Sequence, residues 1–473
     1  MNATNAPPRD VARASLRNVI WRWHFYAGLF CIPFILWLAT TGTIYLFKPQ
    51  IEALIDRPYD QIDPAETRAA AGRQVQAALA AVPGATLRAY ELPRTARSAA
   101  RIVVGRGAEQ TRVYVDPVTL RILKIVREDE RLMTVIFHLH GDLLLGNRGS
   151  MVVELAASWA IVMIATGLYL WWPGKARGVA GVFYPRLLRG GRVFWRDLHA
   201  VTGVWVSAFA LFILLSGLPW AANWGAYFKE IRRLTGTDAI RQDWPSGVER
   251  PSLPDMAAND MADMPGMAPS PSSQEAQAAA RNGTPPSYAP IDGVIAAVAP
   301  LHLADPVVIA PPAHAGDPWT ARSDVQNRPL RTDLVIDPRN GAILSRLDFD
   351  QHSKIDRVVG IGVAAHEGQL FGWPNQLLSL LTASGLVLMS LSAVVLWRRR
   401  RPAGALGAPI AAQERRPPGG LIAAIALFCI LLPELAASVI VVALTERLVL
   451  SRIPAIRAWL GLRAPTPRVV YRH

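Results

Sequence analysis

The chain has 473 residues, 51% of them hydrophobic, and a mean hydropathy of +0.21. That apolar share exceeds the usual one for a soluble domain, and several uncharged runs are long enough to cross a bilayer, so the sequence describes an integral membrane protein. A formal net charge of +14 would suggest a nucleic-acid partner in a soluble domain. Here much of the Arg is packed into short loops beside apolar runs, where it sets topology, and no nucleic acid is expected. The two cysteines, Cys31 and Cys429, each lie inside an apolar run. Neither a disulfide framework nor a CxxC metal site is available, which leaves metal chemistry to His, Met or carboxylate.

Residues 1–47 form a cytoplasmic N-terminus and a first span, Phe25 to Phe47, about the length a spanning helix needs. Arg9, Arg13, Arg17 and Arg22 precede it and place the N-terminus inside. Residues 48–149 turn soluble in composition. A helical pattern at Val75, Leu79 and Val82 leads into strand-like runs at Ala85 to Leu92, Arg101 to Gly105 and Thr111 to Val115, closed by an Asp116-Pro117 turn. A second span over 150–172 returns to a loop, 173–198, made cytoplasmic by Lys175, Arg177, Arg186, Arg189, Arg192 and Arg196.

A third span (199–222) leads to a second outer segment, 223–373, that repeats the first in outline. Its helical pattern is Ile291, Val294, Ile295 and Val298, its strands are Pro306 to Ile309 and Arg331 to Ile336, and its turn is Asp337-Pro338. The stretch from Val115 to Leu123 sits on Ile336 to Leu344 without a gap. An insertion at 251–286, rich in Pro, Ala and Ser, has the composition of a disordered linker. Its Met256, Met261, Met264 and Met267 also suit Cu(I), so copper capture stands beside the linker reading. A fourth span (374–397) ends on the basic loop 398–420. The expected architecture is a membrane α-helical bundle of four core spans from a parallel duplication, with two α+β domains on the outer side. A fifth apolar run, 421–445, is broken by Pro433 and Glu434, and the tail 446–473 comes after it. If the run crosses, the tail lies outside against the charge bias; if Pro433 makes it re-entrant, the tail stays inside. Its length favours a true span.

Four histidines fall at corresponding boundaries of this pattern. His24 and His199 each precede a glycine by one helical turn (Gly28, Gly203) at the cytoplasmic level, and His140 and His366 each begin a His-x3-apolar pair-Gly element at the outer level. One such His has a bland explanation as a neutral imidazole bonded to a headgroup or carbonyl. Four in register bring one ligand from each half to each level, which is what two six-coordinate haems ask of a protein. Zinc is the rival metal, but it wants three or four protein ligands, and each level offers two unless Asp142 or Glu367 joins. His138 lies two residues from His140 and faces away from it, and the register selects His140. His302, His314, His352 and His473 read as surface residues. Arg22 and Arg196 are candidates to pair haem propionates or simply to set topology. Gly28, Gly42, Gly167, Gly203, Gly217 and Gly385 suit either a macrocycle or ordinary helix packing.

The motifs WRWHFYAG, LHGDLLLG, RDLHAVTG and HEGQLFGWPNQ carry a resemblance, together with Thr-Gly or Ser-Gly pairs at Thr41-Gly42, Thr166-Gly167, Ser216-Gly217 and Ser384-Gly385. The chain resembles the PepSY-associated transmembrane family over roughly residues 15 to 400. The resemblance implies two periplasmic PepSY-like modules, two haem b groups, and a multi-pass protein of the bacterial inner membrane that reduces ferric siderophores for iron uptake. No flavin or nicotinamide module is present, so the implied donor is a separate cytoplasmic reductant or quinol. The Met-rich insertion keeps Cu(II) open as substrate. A non-redox transporter or a PepSY-bearing regulator is the competing class, but the core spans carry few charges beyond Glu154, thin for an ion relay.

Overall fold

The computed structural model describes residues 8–172, 178–237, 288–314, 316–409 and 418–462. The Met-rich insertion with Met256, Met261, Met264 and Met267 lies outside the described residues, as does His473. The chain divides into two units: a helical one made of residues 1–43, 140–228 and 378–473, and a sheet-bearing one made of 44–139 and 229–377.

Among the described residues four helices are long and apolar enough to cross a membrane, over Leu16–Leu46, Asn147–Trp171, Gly191–Trp220 and Trp373–Arg400. They belong to α1 (Pro8–Leu46), α5 (Asn147–Trp171), α6 (Gly191–Gly217) and α10 (Trp373–Arg400). At a rise of about 1.5 Å per residue each exceeds the hydrocarbon thickness. In lipid every backbone group must find its partner within the helix, which explains why these uninterrupted apolar runs fold this way. The chain is a multi-pass membrane protein.

The fifth apolar run departs from expectation. It forms two helices, α11 (Gly419–Leu431) and α12 (Pro433–Leu448), broken at the extended Leu432 because Pro433 has no N–H to continue the ladder. The tip of this hairpin is held by Trp224 Nε1, which donates to the Leu431 carbonyl at 3.0 Å, and by Tyr227, which donates to Ile430. Leu432 and Leu435 are buried against Ile161, Val162 and Trp159 of α5 and Trp23 of α1. The Arg22 guanidinium donates to the carbonyl of Pro409, ahead of α11, and to that of Gly461 at 3.1 Å, beyond α12 and the short α13 (Pro454–Leu460). Entry and exit therefore share one end of this helix pair, and no single helix runs through 421–445.

In the other unit eight antiparallel strands form one sheet, in the order β4-β3-β2-β1-β5-β6-β7-β8. The first four are β1 (Thr86–Glu91), β2 (Ala100–Arg106), β3 (Glu109–Val115) and β4 (Ile122–Arg127); the rest are β5 (Val307–Ala310), β6 (Trp319–Ser323), β7 (Thr332–Ile336) and β8 (Ile343–Asp348). The two groups of four are not separate sheets. They join through β1 and β5, with Tyr90 opposite Ile309 and Glu91 opposite Val308. Helices α3 (Ala71–Ala81) and α8 (Ile291–Val298) bury Val75, Ala78, Ile291, Val294 and Val298 in a core that also holds Ile102, Val113, Ile309, Trp319 and Leu334. Asp292 of α8 accepts from the Ala71 and Gly72 amides, capping the helix of the other group. The two Asp-Pro turns are built alike: Asp116 accepts from Val118 N and Asp337 from Arg339 N, each at 2.9 Å. The left-handed position each turn needs is taken by Leu120 in one and by Gly341 in the other.

One charge network braces this sheet. Arg112 lies between Glu91 and Glu128, and Arg131 links Glu128 (3.1 Å) to Glu52 (2.9 Å). Burial pushes the Glu91 and Glu128 carboxyls up, but the Arg112 charge, aided by Arg101 at Glu91 and Arg131 at Glu128, holds both below the usual carboxylate range. A depressed folded-state value gives stability that is complete above the unfolded value of about 4.3 and is lost as pH falls through the folded one. Arg112→Met should destabilise the sheet unit by about 3 kcal/mol, since it strands two buried anions. The penalty should shrink as pH falls, because the stranded carboxyls, no longer held down by Arg112, take up protons. Circular dichroism melts of the detergent-solubilised protein from pH 7 down to pH 3 measure both effects.

The hairpin has its own test. In a background lacking Cys31 and Cys429, Ala403→Cys and Arg452→Cys should both react with an impermeant thiol reagent from the same membrane face; labelling from opposite faces would restore a fifth crossing.

Candidate functional site

Within the helical unit the structure brings together His24 of α1 and His199 of α6. Their ring centroids stand 6.4 Å apart with the planes at 76°. Edge-to-face aromatic pairs also occupy this range, so the separation alone does not define a site. What distinguishes the pair is the second nitrogen of each ring. His24 Nδ1 lies 3.1 Å from the Met163 carbonyl, and His199 Nδ1 lies 3.0 Å from the Met389 carbonyl. A carbonyl only accepts, so each Nδ1 carries the proton and each neutral ring keeps its lone pair on Nε2. Metal-binding histidines are held in this way, with the non-ligating nitrogen donating to a carbonyl that fixes tautomer and ring orientation.

The two ring supports correspond residue for residue. The register that lays His140 on His366 also lays Met163 on Met389 and Thr166 on Ser392. Thr166 Oγ1 approaches His24 Nδ1 at 3.1 Å, and Ser392 Oγ approaches His199 Nδ1 at 3.5 Å. Each hydroxyl also donates to the same methionine carbonyl. The counterpart of Thr166 is thus Ser392; the Ser384-Gly385 pair singled out in the sequence packs elsewhere. A Cβ on Gly385 would meet Val206 of α6 at 2.5 Å, which makes Gly385 a helix-packing residue. The glycines one turn after the two histidines are matched as well, since a Cβ on Gly28 would lie 3.8 Å from the Met163 sulfur and one on Gly203 would lie 3.1 Å from the Met389 sulfur. Without side chains there, α1 and α6 approach α5 and α10 closely enough for the imidazoles to reach main-chain carbonyls.

His140, near the end of α4 (Leu132–Gly141), is held by the other end of α1. Thr41 donates its hydroxyl proton to the Trp37 carbonyl at 2.9 Å and accepts from His140 Nδ1 at 3.1 Å. A Cβ on Gly42 would stand 3.0 Å from His140 Cε1, and one on Gly167 would stand 3.0 Å from His24 Cε1. Two Thr-Gly pairs therefore serve two histidines, the hydroxyl taking the ring proton and the glycine making room for the ring. His138 sits against Phe137, at 5.5 Å between ring centroids. His366 falls in the other unit, as the last residue of α9 (Lys354–His366). The residues just after it are tightly fixed. Burial works against ionised Glu367, but Arg328 at 3.0 Å, with Lys48, holds its carboxyl below the usual range. Gly368 has a left-handed backbone, and a Cβ there would strike Leu46. Gln369 and Gln376 both donate to the Leu46 carbonyl.

The geometry tests two metals. Among the described residues no group of three or more His, Cys, Asp or Glu side chains is placed to hold an ion, which disfavours zinc. With metal–imidazole bonds of about 2.0 Å, two rings on opposite sides of one ion have centroids roughly 6 Å apart. The His24 and His199 rings meet that spacing with the correct nitrogen left over, so the residues present fit a bis-imidazole haem. The two arginines proposed for its propionates are committed elsewhere. Arg22 makes the carbonyl contacts that hold the hairpin ends and stacks on Tyr26, and Arg196 pairs with Asp197, which is fully buried and also bound by Arg186. His302 and His314 are exposed, and His352 stacks on Phe349.

Gly167→Val should push the His24 ring off its two acceptors while leaving the helix intact, because the position is mid-helix and the obstruction is one ring. Haem recovered per protein should fall by about half, with unchanged helical circular dichroism; Val at Gly385 should instead weaken α6–α10 packing and lower the melting temperature. Equal behaviour of the two variants would refute this division of labour.

A search of curated proteins found no match to the chain. The family model described as the PepSY-associated TM region matches residues 21–400, which takes in most of the first spanning helix, the other three, the eight-stranded sheet and the four boundary histidines. This chain belongs to the PepSY-associated transmembrane family.

Proposed function

We propose that the chain is a haem-dependent metalloreductase of the bacterial inner membrane, passing electrons from a cytoplasmic reductant or a quinol to a ferric siderophore in the periplasm. The observation that carries this reading is the neighbouring pair His24 and His199, each with Nδ1 tied to a helix carbonyl, which leaves the lone pair on Nε2. In this reading those two side chains hold one haem b, and His140 and His366 hold a second, on the strength of the sequence register between them. Haem bound by two imidazoles supplies a one-electron centre with no open coordination position, suited to electron transfer and not to bond making.

The protein's own part is placement and exclusion of water. Met163 and Met389 fix which nitrogen faces the metal, and Thr166 and Ser392 keep the rings from turning. The apolar spans keep solvent from the pair. Reduction of Fe(III) to Fe(II) exchanges a hard ion, held tightly by oxygen chelators, for a softer one held weakly, so electron delivery alone releases the metal. No residue needs to cleave the chelator. Parallel duplication accounts for the arrangement, since it gives each half one histidine at each level. The arginine flanks support a cytoplasmic N-terminus and periplasmic segments 48–149 and 223–373.

His24→Ala and His199→Ala should each lose about half of the bound haem and the same spectral component, and the double variant should lose no more than either alone. In liposomes, the reduced wild-type protein should be reoxidised by an external ferric siderophore and yield ferrous iron to a chromogenic trap. A purified protein without a haem spectrum would move the assignment to a transporter or regulator. Reoxidation by Cu(II) alone, abolished by deleting 251–286, would move it to copper.

A further inference from the structure

The reading of His24 and His199 as haem ligands leaves a question about charge, because a haem also brings two propionate carboxylates into the bundle and these need cations or water. Arg22 and Arg196 already have partners. Among the described residues Arg400, the last of α10, has no carboxylate partner. Its guanidinium carbon stands 4.9 Å from the Trp21 ring centroid and 5.3 Å from the Phe25 centroid, so it rests on the turn of α1 that carries His24. It is carried by the helix whose Met389 and Ser392 hold His199. Nη2 donates to the Gly407 carbonyl at 3.1 Å, but Nε is buried and has no hydrogen-bond partner among the described residues. Among the described residues the charged neighbour acting on Arg400 is Arg192, of like sign.

A stacking arginine at a helix C-terminus has an ordinary explanation, since the rings and the helix dipole both favour a cation. Neither satisfies a buried Nε–H, and neither offsets the repulsion from Arg192. An anion at the Arg400 guanidinium does both. Arg presents parallel N–H donors in a planar fork that matches a carboxylate.

We propose that Arg400, with Arg192 beside it, is the site that binds a propionate carboxylate of the haem held by His24 and His199. The proposal rests on the haem reading above and assigns the propionate contact to residues other than Arg22 and Arg196. Arg400 supplies Nε and its fork to the carboxylate, and the Trp21 and Phe25 rings hold the guanidinium flat against α1. Arg192, which is exposed, adds charge from the solvent side.

The test measures how fast haem leaves the purified protein for excess apomyoglobin, together with a redox titration of the visible bands. Arg400→Gln should speed loss of one of the two haems by about tenfold or more and lower that haem's potential only. Arg400→Lys should fall between, and Arg196→Gln should match wild type. Because Arg400→Gln can fail to fold, the wild-type apoprotein is also loaded with haem dimethyl ester, which lacks the carboxylates; its release should match the fast phase of the variant. If Arg400→Gln and the diester both behave as wild type with haem while His24→Ala loses one haem, the haem reading stands and this assignment is wrong. Loss of a co-purifying anionic phospholipid from Arg400→Gln, with haem release unchanged, would give the site to a lipid headgroup and likewise overturn it. A wild-type protein without haem would remove both.

Discussion

The helical unit depends on a hydrogen bond from an imidazole N–H to a main-chain carbonyl of a neighbouring helix. A carbonyl in the middle of a helix is normally occupied by its own ladder, so a second donor can reach it only if the two helices come very close. Gly28 and Gly203 permit that approach, and Thr166 and Ser392 crowd the same carbonyls with their hydroxyls. The result is a ring whose orientation and tautomer are set by backbone atoms, which no side-chain substitution can remove. A lone pair left on Nε2 results from that constraint, and so does the fit to a metal bound by two imidazoles.

The sheet unit solves a different problem. Two four-stranded groups, each with one short helix, would leave long unpaired edges and thin cores if they folded separately. Pairing β1 with β5 removes two edges at once and lets α3 and α8 share one apolar layer. The remaining edge strands, β4 and β8, carry Lys124, Arg127, Arg346 and Asp348, charges that discourage further pairing. Asp292 capping a helix of the other group shows how far the two are interlocked.

The hairpin of α11 and α12 bears on two features of the sequence that conflict. The tail after the fifth run is rich in arginine, yet a crossing would carry it to the side opposite the other basic loops. Helices of 13 and 16 residues meeting at Pro433 reach in and return, so Arg447, Arg452 and Arg457 stay at the end that holds Arg22 and Arg400. The charge bias and the structure then agree.

The sequence by itself determined what depends on local composition and on register. The four spanning helices are legible because an apolar run of sufficient length has one stable form in lipid. The Asp116 and Asp337 turns, the helices at Val75 and Val294, and the family were legible because turn chemistry, periodicity and motif spacing are properties of short stretches. The structure adds strands β4, β6 and β8, for which no clear alternation stands out in the sequence; β4 and β8 lie at the sheet edges and bury little. Only the tertiary structure decided that eight strands make one sheet, that Ser392 and not Ser384 answers Thr166, that Arg22 and Arg196 are already engaged, and that Arg400 has a buried Nε that no described residue answers. Each of these is a choice of partner between residues far apart in the chain, fixed by which groups the packing brings within hydrogen-bonding distance, and no local pattern of residues encodes that choice.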